Sequence, residues 1–128
     1  MNRRGALGEW LAAQYLEERG YTVIGRNYYS QYGEIDLICI QDNNLIFAEV
    51  KTRAVNAMVA GEYAVGLQKQ HRIIKTAVCF LNDETNAHYT GLSPRFDVLV
   101  IEIDAGKYRV THHKSAFDLG GLQSELSV

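Results

Sequence analysis

Two apolar segments, residues 34–40 and 45–52, flank the run Gln41-Asp42-Asn43-Asn44, whose residue types favour the tight turn of a β-hairpin. Apart from charged positions near one end, both alternating faces of the paired segments are hydrophobic. Strands that are apolar on both faces occur where a sheet is covered on each side. The hairpin is therefore expected to lie in the centre of a sheet, with other elements packed on both of its faces.

The rest of the chain predicts two helices and further strands around this hairpin. Helical periodicity over residues 4–19 ends at Gly20, a residue type that commonly stops a helix, and a second helix is predicted at 67–81. The residues that this second helix is expected to bury are Leu67, Ile74, Ala77, Val78 and Leu81. Strands are predicted at 21–29, 95–103 and 107–110, loops at 54–66 and 82–94, and a frayed tail at 118–128.

Length and charge restrict the class of protein. The 128 residues suit a single domain, 1–128. Because the apolar runs are shorter than the roughly 18 residues of a membrane span and no secretory signal is present, we expect no membrane contact and a cytoplasmic location. Cys39 and Cys79 are expected to be reduced. The net charge of −2 argues against nucleic-acid binding by bulk positive charge, although basic residues cluster in the N-terminal part.

The hairpin turn determines which charged side chains face each other. A two-residue turn at Asp42-Asn43, or a four-residue loop, pairs Asp36 with Glu49, and the period of two along a strand puts Lys51 on the same face. The Cβ atoms of directly opposed residues lie about 4.5 to 5.5 Å apart, and two like charges in this position destabilise a sheet. A three-residue loop would instead put the two carboxylates on different faces.

These charged residues allow two interpretations. One is the solvated face of a hairpin; the other is a site at one end of a buried face, where unpaired carboxylates usually bind a metal or perform acid–base chemistry. The second is favoured because the same face continues through Ile38, Ile40, Leu45 and Phe47.

On the first helix, Glu9 is expected to point into the protein, on the side of Ala12, Ala13 and Leu16. It either complements the helix dipole or joins the hairpin site as a further acid.

The spacing of these residues resembles the core of the PD-(D/E)XK nucleases, which include restriction endonucleases and Holliday junction resolvases. The matching segments are Gly33-Glu34-Ile35-Asp36-Leu37-Ile38 and Glu49-Val50-Lys51-Thr52-Arg53, with twelve residues between Asp36 and Glu49. Over residues 4–117 the chain is similar to the YraN-like family of predicted bacterial endonucleases, through Gly8-Glu9, Arg26-Asn27-Tyr28, Lys69-Gln70 with Arg72, Arg95-Phe96-Asp97-Val98 and Ala116-Phe117. One departure from that family is Tyr29, which stands where the family often has Arg.

This resemblance implies a restriction-endonuclease-like α/β fold with a mixed central β-sheet flanked by α-helices. It also implies an endonuclease that cleaves DNA, branched or flap structures among them. The catalytic residues would be Asp36, Glu49, Lys51 and Glu9, and Mg²⁺, or Mn²⁺ in its place, would bind to Asp36, Glu49, the Val50 carbonyl and Glu9. Mg²⁺ prefers oxygen ligands and keeps several waters, which agrees with this set. Lys51 would orient the attacking water and stabilise negative charge in the transition state.

Other basic and imidazole groups carry weaker signals. Lys69, Arg53 and Arg72 are candidates for binding the DNA backbone, although Lys69, Arg72 and Lys75 could equally form a solvated helix face. The pair His112-His113 is expected to be surface or hydrogen-bonded core rather than a metal site.

Two functions compete with the nuclease. One is a nucleic-acid-binding module that keeps the scaffold and cleaves nothing, which the acidic net charge and Tyr29 favour. The other is an interaction protein whose hairpin charges form an ion-pair cluster. The presence of all four core residues argues against the binding module, and the interaction protein predicts a stability that does not depend on cations. A homodimer would suit a junction substrate, which offers two scissile strands.

Overall fold

The computed structural model describes residues 3–54 and 65–118. Within them the chain forms a five-stranded sheet in the order β1-β2-β3-β4-β5. The strands are β1 Thr22–Ser30, β2 Gly33–Gln41, β3 Asn44–Ala54, β4 Ser93–Asp104 and β5 Lys107–Phe117. β3 and β4 run parallel, and the other neighbouring pairs are antiparallel. The sheet is therefore mixed, as the α/β restriction-endonuclease-like class requires.

Two helices cover opposite faces of this sheet: α1, Arg3–Glu18, and α2, Leu67–Asn82. The core under α1 contains Leu11, Ala12, Ala13, Leu16, Leu37, Cys39, Ile46, Ala48, Leu99 and Ile101. The core under α2 contains Ile35, Ile38, Leu45, Phe47, Ile73, Ile74, Ala77, Phe80, Phe96, Val98 and Val100. The predicted burial of the central hairpin on both faces is thus confirmed. No helix in the described ranges is long and apolar enough to cross a membrane.

The hairpin turn has the predicted two-residue form. Gln41 pairs with Asn44, and Asp42 adopts a left-handed φ of 53°, which Asp tolerates better than most residues. The register continues from this turn to the pair Leu37 and Ala48. One step further along both strands stand Asp36 and Glu49.

The predicted apolar stripe of α2 is partly wrong. Leu67, in the first turn, is 62% exposed, and Val78 and Leu81 are only half-buried. The helix instead buries Ile73 and Phe80, because the Phe80 ring packs edge-on against other aromatic rings in the core beneath α2. The buried face of α2 is therefore rotated around the helix axis by about one residue position relative to the predicted face.

Two further segments differ from the prediction. The predicted loop at 82–94 contains a 3₁₀ helix, Glu84–Tyr89, whose first turn is capped by the Asp83 side chain. The last strand runs to Phe117 rather than 110; as an edge strand it exposes much of its surface and lacks a regular apolar alternation. Most of the predicted loop at 54–66 and nearly all of the predicted tail at 118–128 lie outside the described residues. Cys39 and Cys79 are free thiols, as predicted.

Candidate functional site

Two buried carboxylates lie at the end of the paired region of β2 and β3. Asp36 and Glu49 are each only 7% exposed. The Asp36 Oδ2 atom accepts a hydrogen bond of 2.8 Å from the Val50 backbone N–H. This bond fixes the Asp36 carboxyl group against the backbone of β3, next to Glu49.

The two carboxylates repel each other. Burial and, after it, the nearby charge of Glu49 raise the pKa of Asp36 to about 8, against the opposing effect of the Val50 hydrogen bond. Glu9 and Glu34 act on Asp36 in the same upward direction. A site of this kind favours the uptake of a proton or a cation at neutral pH.

A lysine from α2 already contacts one member of the pair. The Lys69 Nζ atom lies 2.6 Å from the Glu49 Oε1 atom, and the Lys69 side chain is 47% exposed. Lys51 stands two residues beyond Glu49 on β3, where it pairs with Val100 and is half-buried. Lys69, a candidate for DNA binding in the sequence, therefore has a specific partner in the fold, Glu49.

Glu9 reaches this region because α1 packs very closely on β3. Gly8, the preceding residue, is buried against Thr52, and a Cβ atom at Gly8 would stand 3.0 Å from the Thr52 Cβ atom. Burial and the charge of Glu34 raise the pKa of Glu9, whereas a hydrogen bond from the Asn27 side chain lowers it. Glu49 also raises this pKa, so Glu9 belongs to the same electrostatic cluster.

The cluster offers oxygen donors of the kind that a divalent ion needs. Across residues 3–54 and 65–118, no three side chains of His, Cys, Asp or Glu come together as a ready metal cage. Mg²⁺, however, usually binds through one or two carboxylates and keeps several waters. Two buried carboxylates that repel each other supply such a donor set. Asp36 and Glu49 fit Mg²⁺, and a ligand role for Glu9 and the Val50 carbonyl stays a prediction.

The other predicted phosphate-binding residues lie around this cluster rather than in it. Arg53 is half-buried near the end of β3, opposite Glu102 of β4. Arg72 is exposed on α2, beside Gly33 at the start of β2. The geometry assigns no role to either arginine.

Tyr29, the departure from the family pattern, lies at the edge of the cluster. Tyr29 pairs with Glu34 of the neighbouring strand β2, and its hydroxyl group donates a hydrogen bond to the Glu34 carboxylate. This bond raises the pKa of Tyr29. The tyrosine therefore contacts an acid of the site at the position where the family often has Arg.

His112 belongs to the core and not to the site. Its Nε2 atom lies 2.7 Å from the Oδ2 atom of Asp97, which is fully buried. Arg95 donates two further hydrogen bonds to the same carboxylate, and the Ser115 backbone N–H donates another. Burial would raise the pKa of Asp97, but the bonds from His112 and Arg95 outweigh it and hold this pKa below its usual value. The prediction of a hydrogen-bonded core histidine is confirmed for His112.

Most of the chain matches one family of proteins. Residues 8–101 fit the family described as "Uncharacterised protein family UPF0102". The chain belongs to this family. The matched segment includes every candidate site residue from Glu9 to Arg72, so the carboxylate cluster lies within the part that defines UPF0102.

Individual UPF0102 proteins are similar over almost their whole length. A UPF0102 protein of Syntrophomonas wolfei is 41% identical over 118 residues, 91% of this chain and 100% of the relative. One from Rhodococcus opacus is 43% identical over 114 residues, 88% of this chain and 94% of the relative. One from Synechococcus is 37% identical over 124 residues, 96% of this chain and 93% of the relative.

One residue of the site carried no role in the sequence analysis. Asn27 lies inside β1, between Arg26 and Tyr28, and has a left-handed φ of 49°. Those two residues pair with Leu37 and Ile35, which places Asn27 across from Asp36. Its side chain holds Glu9 by a hydrogen bond. The signal available in the sequence was the presence of Asn27 in the segment Arg26-Asn27-Tyr28, which carries part of the resemblance to the YraN-like family.

Proposed function

We propose that this chain is a Mg²⁺-dependent endonuclease that hydrolyses phosphodiester bonds in DNA, with branched and flap structures as substrates and Mn²⁺ as a substitute ion. The observation that carries the proposal is the burial of Asp36 and Glu49 at adjacent positions of neighbouring strands. Burying two like charges is costly, and fold stability alone gives no reason to keep both. A role in binding a cation explains why they are kept.

Asp36 and Glu49, with the Val50 carbonyl and Glu9, would hold the ion, which when bound would supply a nucleophile at neutral pH and neutralise charge on the phosphate. Lys51 would add a compact positive charge on the same stretch of β3, where it stabilises negative charge that develops on the phosphate oxygens. The Val50 N–H keeps the Asp36 carboxyl group in place before substrate arrives.

Lys69 supports a second step of the proposal. Its ammonium group neutralises Glu49 at 2.6 Å while the side chain is 47% exposed. A half-exposed lysine can exchange this carboxylate for a backbone phosphate once a bound ion takes over the neutralisation of the buried Glu49, which would otherwise be left unpaired. Lys69 would thus move from Glu49 to the DNA backbone when the ion and the substrate bind.

The experiment is a cleavage assay on linear, flap, fork and four-way DNA with Mg²⁺, Mn²⁺ or EDTA. We expect cleavage of branched DNA with either ion, none in EDTA, and none by Asp36→Asn or Glu49→Gln. The control is Glu18→Gln, an exposed carboxylate on α1, which should cleave like the wild type. Equal cleavage by wild type and Lys51→Ala would indicate a contaminating nuclease, and the absence of products from any substrate with either ion would refute the proposal. Light scattering of the same preparation tests for the homodimer.

A second candidate, a nucleic-acid-binding module without cleavage, is favoured by the same ion pair. Lys69 and a proton on Asp36 would neutralise the cluster without any metal. This function predicts DNA binding that weakens steeply with salt and no products under any ion condition. Any Mg²⁺-dependent product that Asp36→Asn abolishes excludes it.

A further inference from the structure

A cavity of about 240 Å³ lies between α1 and β1, on the side of the carboxylate cluster that Glu9 borders. Its lining consists of Ala6, Glu9, Trp10, Arg26, Asn27 and Leu37. It is smaller than the ~300 to 1,000 Å³ clefts that enclose drug-sized ligands, so it suits a single flat ring system. Because Glu9 belongs both to the cavity and to the cluster, a group bound here would lie next to the proposed catalytic residues.

One wall of the cavity is an aromatic ring that the fold leaves in solvent. Trp10 is 54% exposed, although the three residues that follow it on the helix, Leu11, Ala12 and Ala13, are buried. Large aromatic side chains dominate the energetics of cores and interfaces when they are covered. An exposed indole face beside a cavity is suited to stacking on a planar ring, and nucleic-acid bases all offer such a face.

Asn27, one of the residues that line the cavity, has a side-chain acceptor without a donor. The Asn27 Oδ1 atom is buried and receives no hydrogen bond from any residue that the structure describes. Its orientation is set, because the Asn27 amide group is committed to the Glu9 carboxylate. Buried polar atoms are nearly always satisfied, so this acceptor calls for an N–H donor from a bound molecule. An unpaired base has such a donor on its Watson–Crick edge, whereas base pairing occupies that edge in a duplex.

A cation completes the site at the cavity mouth. The Arg26 side chain is 49% exposed, and it pairs with Glu17, with 3.6 Å between the Arg26 Nη2 atom and the Glu17 Oε1 atom. Exposed pairs of this kind hold their partners weakly. The guanidinium group can therefore turn to a phosphate oxygen, to which it bonds with a fixed two-pronged geometry.

We propose that this cavity receives an unpaired nucleobase of the DNA substrate, with Trp10 stacked on the base, Asn27 Oδ1 accepting from its Watson–Crick edge and Arg26 on the adjoining phosphate. This inference rests on the proposed nuclease function and adds a reason for its substrate class. A base must leave the stack to enter, and it does so most easily at flaps, junctions and single-stranded ends. Continuous duplex DNA should bind only by its backbone.

Trp10 is the single tryptophan of the chain, so intrinsic tryptophan fluorescence reports on this cavity alone. The experiment titrates the full-length protein in EDTA, where no cleavage occurs, with a short single strand, a flap duplex and a blunt duplex. We expect saturable quenching by the first two and none by the blunt duplex. Quenching of equal size by all three overturns the proposal.

Variants make the test quantitative through the polarisation of dye-labelled DNA. Trp10→Ala should weaken binding of the flap roughly tenfold or more, the size of a lost base–aromatic stack, and leave blunt-duplex binding unchanged. Trp10→Phe should restore most of the flap affinity. Leu7→Ala removes another exposed side chain of α1, outside the cavity, and should leave the affinity for both DNAs unchanged. Arg26→Gln should reduce the slope of log affinity against log salt by about one. Equal flap binding by wild type and Trp10→Ala overturns the proposal.

The two proposals fail in different ways. If the nuclease function is wrong, wild-type protein gives no products with Mg²⁺, yet quenching in EDTA is still measurable. If only the cavity assignment is wrong, metal-dependent cleavage persists with the same preference for branched DNA in Trp10→Ala. Asp36→Asn, inactive under the nuclease proposal, should quench like the wild type, and loss of its quenching would contradict the cavity assignment.

Discussion

The carboxyl group of Asp36 is hydrogen-bonded to the backbone N–H of Val50 at 2.8 Å, so that a side chain joins β2 to β3 where their regular pairing has reached Leu37 and Ala48. The bond holds Asp36 beside Glu49 whether or not an ion is present. The repulsion between the two carboxylates is thus built into the folded chain. Relief of this repulsion by a cation should be measurable as stability.

We therefore expect Mg²⁺ or Mn²⁺ to raise the melting temperature of the wild-type protein. An ion present at about 100 times its dissociation constant stabilises the folded state by about 2.7 kcal/mol. Asp36→Asn and Glu49→Gln should remove this gain while the fold stays intact, since the side-chain amide oxygen of the Asp36→Asn variant can still accept from the Val50 N–H. Differential scanning fluorimetry with ion titrations and EDTA measures the shift.

The matched control for this prediction is Asp42→Asn. Asp42 is exposed in the hairpin turn and carries a left-handed φ of 53°, which Asn adopts readily, and the substitution changes the net charge by the same amount. It should keep the full metal-induced shift. A shift of wild-type size in Asp36→Asn would contradict the metal assignment.

Replacing Lys69 should strengthen metal binding in the absence of DNA. The Lys69 ammonium group would compete with the ion for Glu49, which lies 2.6 Å away; the Lys69 side chain is 47% exposed, whereas the Glu49 side chain is only 8% exposed. Because one partner of the pair is buried, loss of the pair should matter at least as much as the roughly 1 kcal/mol of an exposed pair, so Lys69→Ala should bind Mn²⁺ at least about fivefold more tightly, and should bind DNA more weakly. Isothermal titration calorimetry measures the first effect and a salt-controlled binding assay the second.

Lys75→Ala is the control, because it removes the same charge from the same helix and Lys75 lies over the Tyr32 ring, with 5.6 Å between its Nζ atom and the ring centroid. It should leave Mn²⁺ affinity unchanged. Equal Mn²⁺ affinities for Lys69→Ala and the wild type would show that Lys69 does not compete.

The buried network around Asp97 should make the protein sensitive to acid. Because the folded-state pKa of Asp97 is lowered, the network's contribution is present at pH values above the ordinary Asp pKa and is lost as the pH falls through the folded value. Asp97→Asn should cost about 3 to 5 kcal/mol at pH 7, since Arg95 is left largely buried without its carboxylate. Urea denaturation between about pH 3 and pH 7 measures both effects.

Asp104→Asn, an exposed position at the end of the same strand, should unfold with the wild-type pH profile. An Asp97→Asn variant as stable as the wild type at pH 7 would refute a stabilising role for the network.

The contact between Gly8 and Thr52 should tolerate no additional methyl group. A Cβ atom at Gly8 would stand 3.0 Å from the Thr52 Cβ atom, so Gly8→Ala must push α1 away from β3. We expect a net loss of about 1 to 2 kcal/mol, the overpacking penalty less the gain in helix propensity. Cleavage should fall further than stability does, because Glu9 moves with the helix. Denaturation and cleavage assays on the same sample give both numbers.

Thr52→Ala should partly rescue Gly8→Ala by removing two of the three contacting atoms. Gly91→Ala, where an added Cβ meets nothing within 4 Å, is the neutral comparison. Wild-type stability and activity in Gly8→Ala would show that the helix can shift without consequence.

The parts of the fold that sequence could predict are those that obey local geometry. A two-residue turn leaves only one register for the hairpin, so the adjacency of Asp36 and Glu49 follows from counting residues. The buried face of α2 did not follow, because helical periodicity gives a stripe but not its rotation. That rotation depends on Phe80, whose ring packs against residues distant in the sequence, Phe47 and Tyr28.

The candidate site likewise contains some residues that the sequence could place and others that it could not. Asp36 and Glu49 could be placed together because they lie on paired strands, and the place of Lys51 beside them stays a prediction. The Lys69 contact with Glu49 and the position of Asn27 required the tertiary structure, since one depends on how α2 crosses the sheet and the other on a left-handed residue inside a strand. Asn is common in turns, where it tolerates the left-handed conformation. Its presence in a predicted strand therefore did not by itself indicate a residue of the site.

The absence of a side chain at Gly8 matters for the packing of the fold and for the proposed chemistry. Gly8 lets α1 lie against Thr52, and the next residue along the helix is Glu9, an acid of the cluster. Selection for a firm fold and selection for a working catalyst would consequently act on this position together. Mutational scanning should find few substitutions at Gly8 that lose one property and keep the other.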